Sequence, residues 1–241
     1  MKIEIFGIKF DNLTMNEAVE RIRCLSAGRQ SFVVLPYSEF VVRAQKNEGF
    51  KNILNKADFC LCEGRGLYLM AKLLGKKLKQ EINGIELIYK ISEKQETRNK
   101  KQTIFLFGAT EEVVKKTAEK LGNNIVGFEH GYQDYNLVIQ KINLIKPDIL
   151  LVGLGSPQQE EFIYNNLSKM PSVKLAIGVG GAFDFISECV KRAPRIMQNI
   201  GVEWLWRLIL QPKRLKRIFI GVGGLVCLTF KNMLFLKRNN N

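Results

Sequence analysis

Ile149-Leu150-Leu151-Val152-Gly153-Leu154-Gly155-Ser156-Pro157-Gln158-Gln159-Glu160 is the stretch that decides the fold. Four consecutive aliphatic residues leave no polar face, so Ile149 to Val152 reads as a strand buried on both sides, the mark of a parallel sheet covered by helices. Working outward, the same kind of run recurs at Ser31-Phe32-Val33-Val34-Leu35, Asp58-Phe59-Cys60-Leu61-Cys62, Thr103-Ile104-Phe105-Leu106-Phe107 and Leu175-Ala176-Ile177. Between these runs, Glu111 to Leu121 and Tyr135 to Ile145 space their apolar residues at three and four, and Thr110 ahead of two glutamates reads as a helix start. Alternating strands and helices predict a Rossmann-like α/β fold: a mainly parallel sheet with helices on both faces. Met1 to Phe10 predicts a short hairpin, followed by a first helix over Met15 to Leu25. The polar segment Ser92 to Gln102 predicts an exposed connection between two halves of one domain.

Charge is the strongest compositional deviation. The 241 residues carry 37 Lys and Arg against 23 Asp and Glu, a net of +14, which favours anionic partners without choosing among nucleic acid, phospholipid and phosphorylated substrate. Five cysteines with no CxxC pair, and a single histidine, indicate neither a disulfide framework nor a zinc site. The N-terminus carries charge inside its short apolar run and reads as no signal peptide, so the body is expected inside the cell. No nucleic-acid motif or interleaving of aromatic and basic residues is present, which disfavours the nucleic-acid reading.

In open α/β sheets ligands sit beyond the carboxyl ends of the strands. Five junctions there are candidates: Pro36-Tyr37-Ser38-Glu39, Glu63-Gly64-Arg65-Gly66, Gly108-Ala109-Thr110, Gly153 to Glu160, and Gly178 to Asp184. Glycines at such places allow a backbone to approach a phosphate at a helix start, and equally serve tight turns. Gln158 and Phe183 stand where a GxGxxG motif needs its third glycine, which disfavours a nicotinamide-type site. Glu63 is placed to accept a proton from an attacking hydroxyl, although a solvated surface carboxylate would look the same in sequence. Gln159 offers an amide for a sugar hydroxyl or a phosphate oxygen, or else a helix cap. His130, alone in a turn, reads as structural.

Beyond Arg207 the composition changes. A basic cluster of Arg207, Lys213, Arg214, Lys216 and Arg217 precedes the uncharged run Ile218 to Phe230, with Pro212 expected to open a helix. Thirteen residues interrupted by Gly221, Gly223 and Gly224 are short for a membrane span, so a segment lying in the lipid interface is preferred, with a final core helix as the competing reading. The expected division is an α/β domain over 1–206 and a basic, apolar, membrane-binding appendage over 207–241.

Three motifs in order carry a resemblance. Gly153 to Glu160, Gly178 to Asp184, and Arg192-Ala193-Pro194 followed by Gly201-Val202-Glu203-Trp204-Leu205-Trp206-Arg207-Leu208 together resemble the WecG/TagA/CpsF family of bacterial glycosyltransferases, over nearly the whole chain. The resemblance implies an inverting transfer of an N-acetylhexosamine, N-acetylmannosamine or a related sugar, from a UDP-sugar to a polyprenyl-diphosphate-linked sugar in cell-surface polysaccharide or teichoic acid synthesis. It places the enzyme peripherally on the cytoplasmic face of the membrane, with no metal or other cofactor, and leaves homo-oligomerisation open. It makes Glu63 and Gln159 the catalytic candidates. Tyr37, Ser38, Arg65, Gly108, Gly153, Gly155, Gly180, Gly181 and Asp184 become candidates for substrate binding, joined by Arg207, Arg214 and Arg217 from the appendage.

The chain departs from the family pattern in its N-terminal half. Leu35 and Tyr37 stand where the family has a hydroxyl and an amide, Glu63 stands for its aspartate, and Glu81 falls where it has an arginine. A carboxylate cannot do the work of a guanidinium, so Arg65 is the expected compensating cation. These departures point to a shifted donor or acceptor, and they also leave room for a non-catalytic, membrane-peripheral relative.

Overall fold

The computed structural model describes residues 1–26, 28–93, 102–200, 203–212 and 215–239, and within these not the side chains of 25–26, 195, 199, 207, 216–218 and 235–239. The chain opens with an antiparallel hairpin, β1 (Lys2–Ile5) and β2 (Ile8–Asp11), then α1 (Met15–Ser26). There follow β3 (Ser31–Val34), α2 (Ser38–Ala44), α3 (Glu48–Lys56), β4 (Phe59–Cys60), α4 (Arg65–Leu73) and α5 (Gly84–Ser92). The second half holds β5 (Ile104–Gly108), α6 (Glu111–Leu121), β6 (Ile125–Glu129), α7 (Tyr135–Ile145), β7 (Ile149–Gly153), α8 (Gln158–Asn166), β8 (Leu175–Gly178) and α9 (Ala182–Ile186). Three further helices close it: α10 (Arg195–Asn199), α11 (Glu203–Leu210) and α12 (Leu215–Asn239).

Strands β3 to β8 form one parallel sheet in the order β4-β3-β8-β7-β5-β6. The uninterrupted apolar runs are explained by burial on both faces. Phe32, Val34, Phe105 and Phe107 point into a core formed with the hairpin, α2, α3, α4, α7 and α8. Val33, Ile104, Leu106, Ile149 and Leu151 point the other way, onto α1, α5, α6 and α9. Each phenylalanine buried in full, such as Phe105, Phe107 and Phe162, contributes about 2 kcal/mol from apolar area alone. Thr110 caps α6 by accepting from the Val113 N–H, as its position in the sequence predicts. The segment 94–101, most of the expected exposed connection, lies outside the described residues.

Strand order reverses between β5 and β7. From β5 the chain crosses through α6 to β6 at one edge; from β7 it crosses through α8, on the opposite face, back to β8. Such a switch opens a crevice at the carboxyl ends of the strands.

The C-terminal segment differs from its expected form. Ile218 to Phe230 belongs to one continuous 25-residue helix, α12, which packs along α2 and also touches α4. The glycines do not break it, because two of them are where it fits. A Cβ at Gly221 would lie 3.2 Å from Glu39 Cα, and one at Gly224 would lie 2.8 Å from Val42 Cγ1. Leu225 and Thr229 are buried on this docked side, so the competing reading of a core-packed helix holds for one face of α12. The helix begins at Leu215, three residues after Pro212, and position 207 falls within α11, which crosses the boundary drawn from composition. Among the described residues, no helix is long and apolar enough to cross a membrane.

Candidate active site

Parallel pairing brings the residues after each strand to one edge. The β3–β4 ladder continues beyond the strands, with the Leu61 N–H donating to Val34 O at 3.0 Å and the Glu63 N–H to Pro36 O at 3.0 Å. Glu63 is thereby fixed beside the turn that carries Tyr37 and Ser38. Its Oε1 accepts from the Gly84 N–H at 3.0 Å, at the first residue of α5, where Asn83 caps the helix. The first N–H groups of a helix lack internal partners and the dipole there favours negative charge, so a carboxylate is well held. Glycine at position 84 leaves room for this contact, since a Cβ there would approach Glu63 Oε1 to 2.6 Å and Leu35 Cδ1 to 3.2 Å and the carboxylate would have to shift.

Arg65, two residues on, does meet Glu81: Nη1 lies 3.3 Å from Oε1, and the guanidinium sits 5.4 Å from the Tyr68 ring centroid. Burial pushes the Glu81 carboxyl above its ordinary range against the pull of Arg65, and Glu203 of α11 pushes it further. Its other oxygen is buried with no hydrogen-bond partner among the described residues. Tyr37 donates its hydroxyl to Glu39 Oε2 at 3.2 Å, and Glu39 Oε1 accepts from Arg43 at 2.9 Å, so these side chains brace α2. Ser38 Oγ lies beside Gly66, where a Cβ would come within 3.6 Å.

At the switch point the loops after β5, β6 and β7 are laced by backbone. The Ala109 N–H donates to Gly153 O at 3.1 Å and the Gly131 N–H to Ala109 O at 2.9 Å. Gly108 combines φ of +131° with an approach that would put a Cβ 2.4 Å from Gly153 C. Only glycine satisfies both conditions. Gly153 in turn backs onto the Phe183 ring, at 2.7 Å from a Cβ. Packing alone therefore accounts for these two glycines, and both are buried.

Gln159 is 1% exposed and does not cap α8. Its Oε1 accepts from Gly155 N–H at 3.2 Å and Gly180 N–H at 2.9 Å, while Nε2 donates to Glu160 Oε1 at 2.6 Å. One buried amide thus ties the loop after β7 to the loop after β8. Glu160 is fully buried, and desolvation pushes its carboxyl up to about 8. Gly181 precedes α9, and Asp184 lies in its first turn, with its carbonyl accepting from Val190 N–H. His130 stays local, its Nδ1 accepting from the Tyr132 N–H at 3.2 Å.

The structure therefore gathers Tyr37, Ser38, Glu63, Arg65, Gly108, Gly153, Gly155, Gln159, Gly180, Gly181 and Asp184 at the carboxyl edge. Arg214 and the side chains of Arg207 and Arg217 lie outside the described residues. Two residues were not singled out by the sequence reading, Gly84 and, although it ends a candidate junction, Glu160. Gly84 is 21 residues from its carboxylate, which no local pattern reveals. Glu160 had a local signal, since it shares the helical spacing of the apolar Ile163 and so belongs to the buried face of α8. Among the described residues no group of His, Cys, Asp and Glu is arranged to hold a metal ion.

A carboxylate anchored at a helix start and glycine-rich turns after the strands, on one edge of a parallel sheet, make the layout of an α/β enzyme that holds its ligand across the strand ends. The enzyme is a glycosyltransferase. The chain belongs to the glycosyl transferase WecG/TagA/CpsF family, whose profile matches residues 3–239. It is similar to the N-acetylglucosaminyldiphosphoundecaprenol N-acetyl-beta-D-mannosaminyltransferases of Staphylococcus aureus strains NCTC 8325 / PS 47, N315 and MRSA252. Each is 32% identical over 226 residues, covering 90% of this chain and 88% of the relative.

Proposed function

We propose that this chain transfers an N-acetylhexosamine, N-acetylmannosamine or a close relative, from a UDP-sugar to a sugar carried on a polyprenyl diphosphate, with inversion, at the cytoplasmic face of the membrane. The observation that carries the reading is the Glu63 carboxylate held on the Gly84 N–H at the start of α5. In the transfer, the acceptor hydroxyl oxygen forms a bond to the anomeric carbon as the bond from that carbon to the diphosphate oxygen breaks. The hydroxyl proton passes to Glu63, and the bonding pair leaves with UDP. The partly exposed turns at Gly155 and Gly180 carry no side chain that would keep a diphosphate away, and cations offset the charge that grows on it. Arg65 is the nearest such cation to Glu63 along the chain, with Arg207, Arg214 and Arg217 as candidates from the C-terminal segment.

Gln159 acts here through the two loops it ties rather than on the sugar. The acceptor named for the Staphylococcus aureus relatives is lipid-linked, and α12 offers a surface suited to meeting its membrane. Its undocked side presents Phe219, Ile220, Val226, Phe230, Met233 and Leu234. UDP release, measured with a panel of UDP-N-acetylsugars and lipid-linked acceptors, tests the reading. One sugar should support turnover, and Glu63→Gln should cut it at least ~100-fold. No UDP release and no UDP binding in calorimetry would overturn it in favour of a non-catalytic relative.

A further inference from the structure

The net charge is concentrated in two places that the fold makes neighbours. Residues 204–241 hold eight Lys and Arg and no carboxylate; residues 64–80 hold five and again none. Together they supply thirteen of the fourteen net positive charges, while the remaining residues balance 24 cations against 23 carboxylates. The second of these segments is α4 and the turn that follows it, and α4 packs directly against α12.

Helix α4 has two faces. Leu67 and Ala71 are buried in the core, whereas Leu69 and Leu73 are 37% and 59% exposed. Lys72 is exposed as well, so Leu69, Lys72 and Leu73 share one face of the helix, and the exposed Lys76 and Lys77 follow in the turn after it, beyond Gly75. Two of the five cations are engaged, Arg65 by Glu81 and Lys79 by Glu17. Lys72, Lys76 and Lys77 have no carboxylate partner among the described residues. Leucines bare of cover and flanked by unpaired lysines fit a surface that is apolar below and anionic above. A water-soluble acidic partner would use the lysines and leave the leucines exposed.

We propose that α4 and the turn after it are a second membrane contact of this protein, in which Leu69 and Leu73 enter the lipid interface while Lys72, Lys76 and Lys77 meet anionic headgroups. The contact lies on the catalytic body itself, beside α12, and it rests on the reading that α12 meets the membrane. Two contacts on adjacent helices fix an orientation as well as a distance, which a single tail would not.

The full chain, sedimented with vesicles of phosphatidylcholine containing 30 mol% phosphatidylglycerol and with pure phosphatidylcholine, provides the test. Replacing the three lysines together (Lys72→Gln, Lys76→Gln, Lys77→Gln) should weaken partitioning onto the anionic vesicles about 10- to 100-fold and leave the neutral vesicles unaffected. Leu69→Ser with Leu73→Ser should weaken partitioning onto both. All five side chains are exposed, so the thermal midpoint should stay put and report that folding is intact. If both α4 variants partition like the parent while Phe230→Ser with Leu234→Ser does not, the α4 contact is overturned and the α12 reading stands. If the parent ignores both vesicles, the α12 reading falls and the α4 contact with it. Loss of self-association on light scattering in the leucine variant, with vesicle binding unchanged, would instead assign this face to a second copy and overturn the proposal.

Discussion

Oε1 of Glu63 and the amide of Gly84 are 3.0 Å apart, and the carboxylate occupies the place where any side chain on residue 84 would begin. Glu63 follows β4 whereas Gly84 opens α5, with α4 between them in the chain, so the proposed base is set by the docking of α5 against the β4 end. Gly84→Ala should push the carboxylate aside while leaving the sheet intact, lowering kcat for UDP release about 10-fold with little change in KM. Glu63→Gln keeps the acceptor oxygen for the Gly84 N–H but removes the base, and should lose far more. Gly84→Ala turning over at the parent rate would mean that this contact does not position the base.

Glu160 gives the protein a pH signature. Desolvation raises its carboxyl from about 4.5 to about 8, so between those values the folded state keeps a proton that the unfolded chain has released. Stability should therefore fall as pH rises from 5 through 8 and level off above. Glu160→Gln cannot titrate, and its carbonyl still accepts from Gln159 Nε2. Its thermal midpoint should lack that decline and exceed the parent's at pH 9; parallel profiles for the two proteins would refute the assignment.

Arg65 is proposed to serve a diphosphate, and its present partner is Glu81. Removing the guanidinium by Arg65→Ala should raise KM for the UDP-sugar about 10-fold or more, the worth of one hydrogen bond to a charged group. Glu81→Gln releases Arg65 from its ion pair and should not raise KM. Since burial already lifts the Glu81 carboxyl, mild acidification should act on the parent in the same sense as this variant. An Arg65→Ala enzyme with unchanged steady-state constants would remove Arg65 from the site.

The buried strands were legible because burial on both faces selects against polar residues, and Ile149 to Val152 states that in four letters. Glu63 and the strand-end glycines were legible because the parallel topology fixes where strands end. What a linear pattern hides is partnership across the fold. Gln159 reads as a cap or a ligand, yet its amide bonds to Gly155, Gly180 and Glu160 only once β7 and β8 lie side by side. The glycines of α12 are another such case: intrinsic propensity marks them as weak points, and only the surface of α2 makes two of them points of contact.

That contact yields a prediction with an internal control. Gly224 faces Val42, with 2.8 Å left for a Cβ, whereas a Cβ on Gly223 meets nothing within 4 Å. Both sit in the same turn of the same helix, so any effect of leucine on helix propensity is shared and only the fit against α2 differs. Gly224→Leu should force α12 away from α2 and expose Leu225, whose burial is worth about 2 kcal/mol. Proteolysis should then cut within 211–215 more readily. Because α2 starts at Ser38, beside the Glu63 loop, and loses its cover along Glu39 and Val42, UDP release should fall as well. Gly223→Leu should match the parent in both assays. Equal behaviour of the two variants would show that α12 does not depend on this contact for its place on the body.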